Sequence, residues 1–147
     1  MTDDQVRLDS DLMNVMRAGV THAIEHGAQA VAPSHLMLGL LADPLIGPAI
    51  AKLVPRDKID KAAADAATKP PSQLVDSLAF RSLDGTRTLY LDSESFRLFI
   101  EGARRAVDVY RAKHLVYGFT AEAVKDRDLL SLFGTDPQSV SKAVEGL

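Results

Sequence analysis

The sequence predicts an all-α fold of about eight helices, a pseudo-twofold arrangement in which a four-helix unit occurs twice. Three observations predict it: short motifs recur at a nearly constant spacing, amphipathic stretches of helical period precede them, and the apolar residues are mostly aliphatic. Leu8-Asp9-Ser10 returns as Leu91-Asp92-Ser93, 83 residues later. His35-Leu36-x-x-Gly39 returns as His114-Leu115-x-x-Gly118, and Leu53-x-x-x-Asp57 as Leu132-x-x-x-Asp136, both 79 residues later. The difference fits one shorter loop in the second copy, opposite the stretch 26–31 of the first. Hydrophobic residues make up 46% of the chain but aromatic ones only 5%, with no Trp. The core is therefore built from Leu, Val, Ile, Ala and Met, which favours helix packing over a sheet sandwich.

Each copy opens with a long amphipathic helix. In the first, Leu12, Val15, Met16, Gly19, Val20, Ala23 and Ile24 fall on one stripe. In the second, Phe96, Phe99, Ile100, Ala103, Ala106, Val107 and Tyr110 do so. Asp9 and Asp92 stand where a side chain accepts hydrogen bonds from the free N–H groups of a first turn. Leu8 with Met13, and Leu91 with Phe96, have the spacing of a hydrophobic staple. Asp11 and Glu94 suit the positive helix end.

A second helix fits Ser34–Ala42 and, in the other copy, Lys113–Lys125. The first of these stops before Asp43-Pro44, because Pro disfavours helix for the residue preceding it. A short third helix fits Pro48–Leu53, with Pro at its start, and Arg127–Phe133, ended by Gly134. A last helix fits Asp57–Ala67 and Pro137–Glu145, the latter with Asp136 as its cap. The chain thus reads as a single domain over 1–147, with one repeat at 8–67, a linker at 68–90 and a second repeat at 91–147. Lys69-Pro70-Pro71-Ser72 breaks the helical pattern. Two conformations fit the rest of the linker. One is a hairpin of Leu78–Leu83 and Thr86–Leu91 about a tight Asp84-Gly85 turn. The other is a bent segment with a short helix at Ser72–Phe80.

Charge and composition exclude several function classes. The net charge is −3 and no Lys/Arg block exists. The densest basic spot, Arg104-Arg105 with Arg111 and Lys113, is interleaved with Glu101 and Asp108 on a predicted helix and reads as a solvated face, so no nucleic-acid partner is expected. The absence of Cys removes disulfides, thiolate nucleophiles and zinc–sulfur sites. The polar start Met1-Thr2-Asp3-Asp4-Gln5 is unlike a secretory signal. The apolar run Leu36–Ala42 is too short to span a bilayer. A cytoplasmic monomer with no membrane association is expected, and the absence of heptads gives no reason for a larger assembly.

His35 and His114 are the residues most open to a catalytic reading. A catalytic His needs a nucleophile and an orienting carboxylate within hydrogen-bond reach, and a metal site needs three or four converging ligands. Each of these histidines instead opens a helix, at equivalent places of a duplicated unit, which suits a structural hydrogen bond. His22-x-x-x-His26 places two imidazoles one turn apart, without an evident third ligand. Ser10, Ser93 and Ser95 lie in no Gly-x-Ser-x-Gly context. Phe96, Phe99, Tyr110, Tyr117 and Phe119 suit either a core or a peptide groove, and the Tyr117 hydroxyl suits a half-wet site. Gly39 and Gly118 suit close helix approach. No cofactor or metal is indicated, and no Gly-x-x-x-x-Gly-Lys-Ser/Thr phosphate loop is present.

Four helices per copy, with His-Leu-x-x-Gly opening the second, resembles the Clp N-terminal repeat domain of the ClpA, ClpB and ClpC unfoldases. Members commonly carry Thr-Glu-His-Leu-Leu-x-Gly-Leu at this point. Here the copies read Pro33-Ser34-His35-Leu36-Met37-Leu38-Gly39-Leu40 and Ala112-Lys113-His114-Leu115-Val116-Tyr117-Gly118-Phe119. The resemblance runs from about Leu8 to Val144, outside the linker. It implies a non-enzymatic module binding protein or peptide clients, adaptors or Clp ATPase and protease subunits, as a trans-acting accessory or as a decoy. Met1 and a completed last helix favour a free-standing small protein. Ser34, His35, Lys113, His114 and Tyr117 are the candidate binding residues. In ClpC-type domains the acid before this His belongs to a pocket for phosphorylated arginine. Ser34 and Lys113 lack that negative charge, and Lys113 would repel a guanidinium, so the resemblance does not carry phosphoarginine over to this chain. The alternative from another class is a small helical enzyme using His35 or His114.

Overall fold

A computed structural model describes residues 7–68, 74–120 and 137–147. The order is β1 (Arg7–Leu8), α1 (Ser10–Glu25), α2 (Pro33–Leu41), α3 (Ile46–Ile50), α4 (Arg56–Thr68), β2 (Leu74–Arg81), β3 (Thr88–Asp92), α5 (Ser93–Arg105), β4 (Val109–Tyr110), α6 (Ala112–Thr120) and α7 (Pro137–Val144). The fold is mostly helical, with seven helices among the described residues against the eight or so expected. The expected helix over 127–133, its stop at Gly134, the Asp136 cap and the 121–125 end of the second helix lie outside the described residues.

Each copy is organised by one close helix crossing. A Cβ added to Gly39 in α2 would collide with the Val15 carbonyl oxygen of α1 and lie 3.1 Å from the Gly19 nitrogen. A Cβ added to Gly118 in α6 would collide with the Leu98 carbonyl oxygen of α5 and lie 3.1 Å from the Gly102 nitrogen. Val15 and Leu98, like Gly19 and Gly102, are 83 residues apart, and Gly39 and Gly118 are 79 apart. The same backbone-to-backbone contact therefore occurs twice in the register of the sequence repeat. Only glycine allows it, because any side chain would hold the two helices apart.

The copies are joined by backbone bridges that obey the same symmetry. Leu8, before α1, pairs in parallel with Tyr110, before α6. Leu91, before α5, pairs in parallel with Val31, before α2. The Asp9 N–H donates to the Tyr110 carbonyl at 2.9 Å and the Asp92 N–H to the Val31 carbonyl at 3.0 Å. Exchanging the copies exchanges these bonds, which is the pseudo-twofold relation. Between the copies α1 also packs on α6, α2 on α5 and α3 on α7. One continuous apolar cluster draws Leu12, Met16 and Leu36 from the first copy and Leu98, Leu115 and Phe119 from the second. That shared burial makes the two halves a single packing unit.

Several local expectations change. Asp92 caps α5 by accepting from the Ser95 N–H at 2.8 Å. Asp9 makes no side-chain cap on α1. Its carboxylate lies 3.8 Å from the Arg111 guanidinium of the other copy, and Asp11 accepts from the Ala112 N–H at the start of α6. The acids of the α1 terminus thus serve the second copy. Helix α5 ends at Arg105, so Val107 and Tyr110 leave the predicted stripe. Val107 is 84% exposed, whereas Tyr110 on β4 is buried and its hydroxyl donates to the Phe99 carbonyl at 2.7 Å. Lys113 consequently sits on α6, separate from Arg104 and Arg105. Helix α3 starts at Ile46, where Asp43 accepts from the Leu45 and Ile46 N–H groups, and not at Pro48.

The linker is the hairpin, not the bent helix. β2 and β3 are antiparallel, pairing Ala79 with Tyr90, Phe80 with Leu89 and Arg81 with Thr88. The turn is wider than a type I′ pair, which needs two residues of positive φ. Only Gly85 has one, at 76°, among the described residues of this loop. The Asp84 carboxylate organises the loop by accepting from the Ser82 hydroxyl and from the Thr86 N–H and hydroxyl.

Candidate functional site at the two helix starts

Ala32, before α2, is extended, and in each copy the histidine reaches back three positions to the residue before the second helix. The Ala32 N–H donates to His35 Nδ1 at 2.9 Å, and the Arg111 N–H donates to His114 Nδ1 at 2.9 Å. This is the part a Glu or Gln plays in a capping box, taken here by imidazole. A ring nitrogen that accepts must be unprotonated, so neutral His35 carries its hydrogen on Nε2. That N–H donates to the Ala63 carbonyl of α4 at 3.1 Å. His35 thereby ties the start of α2 to α4 with both nitrogens satisfied. It is 0% exposed, and burial pushes its pKa down to about 4. The imidazole is neutral at physiological pH.

His114 is the same device in a more open setting. It is half-buried, and its ring lies between those of Tyr110 and Tyr117, with centroids 6.2 and 6.1 Å away. Burial, then the nearby Lys113 and Arg111 charges, depress its pKa. Among the described residues neither His35 nor His114 hydrogen-bonds a hydroxyl or a carboxylate, the arrangement a general base would need.

Ser34 is buried at 5% exposure, while Lys113 and Tyr117 are half-buried. Burial and the Glu145 carboxylate raise the Tyr117 hydroxyl pKa. The structure brings Lys113, His114 and Tyr117 together on α6. No hydrogen bond or ring contact joins them to Ser34 or His35 among the described residues. Of the five candidates, the three on α6 are half-buried, and Ser34 and His35 of α2 are buried.

The other polar candidates are engaged locally. His26 Nδ1 donates to the His22 carbonyl at 2.8 Å, and His22 lies 3.6 Å from Glu25. Among the described residues no three His, Asp or Glu side chains converge on a metal-sized space. The Ser95 hydroxyl donates to the Val31 carbonyl at 2.9 Å across the copies. Two features escape sequence reasoning. The acceptor for His35 is a backbone carbonyl at an alanine, which has no side-chain signature. Arg17 of α1 reaches the hairpin 65 residues away, through carbonyls alone.

Among the described residues no helix is long and apolar enough to cross a membrane. No protein-family model and no curated protein sequence matches the chain. Solved structures do. The N-terminal domain of the caseinolytic protease associated chaperone ClpD from Arabidopsis thaliana superposes with a TM-score of 0.62 at 18% identity, covering 95% of this chain and 93% of that one. The Hsp104 N-terminal domain from Candida albicans gives 0.58 at 7% identity, covering 93% and 88%. With the glycine crossings, the inter-copy bridges and the paired histidine caps, these likenesses establish that the chain has the Clp N-terminal domain fold.

Proposed function

We propose that the chain is a non-enzymatic module that binds proteins and peptides, acting as a monomer in the cytoplasm. Its partners are protein clients, adaptors or Clp ATPase and protease subunits, reached in trans as an accessory or a decoy. The observation that carries this reading is the use of both motif histidines as helix caps. His35 is buried with both nitrogens bonded to backbone, and His114 caps α6 in the same way. The residues most suggestive of chemistry are therefore committed to the fold, and the fold is shared with N-terminal domains of chaperones. The contact surface proposed is the α6 face of Lys113 and Tyr117, with His114 capping that helix and Ser34 and His35 setting the matching helix in the first copy. A half-buried Tyr beside a cation suits a modest, partly polar interface.

Fluorescence anisotropy of labelled casein tests the reading. Wild-type protein should give saturable binding, and Lys113→Glu with Tyr117→Ala should weaken it by about tenfold. Absence of binding at any concentration would refute the reading. Sedimentation with a purified Clp ATPase separates the two roles. Co-sedimentation supports an accessory, whereas casein binding without it supports a decoy.

A further inference from the structure

The hairpin bridges the first helices of the two copies, β2 packing on α1 and α5 and β3 on α5. Its inner face presents Phe80 and Leu89, both nearly buried. The Phe80 ring meets that of Phe99 at 5.8 Å, and Phe99 meets Tyr110 at 4.9 Å. Its outer face leaves Arg81, Thr88 and Tyr90 exposed. At the tip, Arg17 Nη2 donates to the Ser82 and Leu83 carbonyls, each at 3.3 Å, and Thr21 Oγ1 accepts from the Leu83 N–H at 2.9 Å. All three bonds go to main-chain atoms. The α1 surface thus holds a backbone without regard to its side chains, and a single aromatic ring supplies the anchor. This combination suits an extended segment of arbitrary sequence.

The hairpin satisfies that surface incompletely. Both Arg17 bonds are long for N–H···O, and its Nε is buried with no partner among the described residues. Leu83, between the two clamped carbonyls, stays 51% exposed. We propose that the hairpin is an internal occupant of a site for extended, aromatic-bearing segments of unfolded proteins, which bind by displacing it. This deepens, and rests on, the protein-binding reading above. Free hairpin tip and bound client are then alternative partners of Arg17, Thr21 and the Phe99 ring. The competition lowers apparent affinity by the fraction of molecules whose hairpin is closed.

A disulfide tests the proposal, because the chain has no Cys of its own. The 2.9 Å bond from the Leu83 N–H to Thr21 Oγ1 puts these residues side by side, and Thr21→Cys/Leu83→Cys, with disulfide formation verified by thiol titration, is the pair that closes the tip. The probe is a fluorescein-labelled peptide with the sequence of residues 74–83, and a control peptide has Ala in place of its Phe. The oxidised variant should bind the probe at least tenfold more weakly than the same protein reduced. A second protein variant, Phe80→Ala, loosens the hairpin and should bind the probe at least tenfold more tightly than wild type. The control peptide should bind the reduced protein and Phe80→Ala at least tenfold more weakly than the probe. Equal affinity in oxidised and reduced forms, or no gain in Phe80→Ala, overturns the proposal. If casein still binds the oxidised form, the protein-binding reading stands without it, whereas casein failing to bind any form, wild type included, overturns both.

Discussion

Acidification should unfold this protein through His35 in particular. Its pKa is 6.5 in an unfolded chain and about 4 in the fold, where burial opposes charge. The unfolded state therefore takes up a proton first as pH falls, and stability rises with pH across this window. The contribution is complete above pH 6.5, shrinks as pH drops below it, and is exhausted near pH 4. A gap of that width corresponds to about 3 kcal/mol, a large part of the roughly 5–15 kcal/mol that holds a domain folded. The structure supplies the cause. A protonated ring could no longer accept the Ala32 N–H at Nδ1, and its charge would sit at a position with no exposed surface. The assay is urea unfolding followed by far-ultraviolet circular dichroism at pH 7.5, 6.5, 5.5 and 4.5. His35→Gln is the control, since Gln keeps the capping acceptor without titrating. Wild type should lose about 2–3 kcal/mol more than His35→Gln between pH 6.5 and 4.5. Parallel pH profiles for the two proteins would refute the buried, neutral assignment.

The glycine crossings and the caps give further predictions. Gly39→Ala and Gly118→Ala should each cost about 1–3 kcal/mol or more by forcing helices apart, read as a fall in the urea midpoint. Gly27→Ala should cost only about 1 kcal/mol, because Gly27 needs its positive φ but has open space around it. Asp92→Ala should cost about 1 kcal/mol by removing the α5 cap. Asp9→Ala should stay within about 0.5 kcal/mol, since among the described residues its carboxylate makes a single half-exposed pair, with Arg111. Equal losses in the two would show that Asp9 also caps.

The parts of the fold that the sequence made legible depend on local chemistry. The stripe of α1, the Asp92 cap and the paired glycines could be read because side-chain identity and spacing carry them. The inter-copy bridges could not. β1 and β4 are two residues each and about a hundred residues apart, joined by main-chain bonds that any residue but proline can make. The extended stripe of α5 misled for a related reason. Val107 and Tyr110 keep helical spacing, yet the chain turns at Ala106, which has an extended conformation. Tyr110 is then buried by a strand instead of a helix. At the candidate site, the equivalence of His35 and His114 was visible, but their difference in burial was not. It depends on α4, whose Ala63 carbonyl closes over His35. The hairpin was one of two readings because Asp84-Gly85 suits a tight turn, while the wider loop is made by the hydroxyls of Ser82 and Thr86 on either side.

The motif histidines cap helices in both copies, and the proposed contact surface is the α6 face of Lys113 and Tyr117. The casein-binding isotherm of His114→Ala, recorded beside wild type below the melting temperature of both, tests it most directly. His114 loses one backbone bond on replacement, worth about 1 kcal/mol, so the melting temperature should fall by about 3 °C. The two isotherms should nevertheless agree within about threefold, a margin below 1 kcal/mol. Loss of binding in His114→Ala at an unchanged melting temperature would contradict a scaffold role, because the imidazole would then belong to the site.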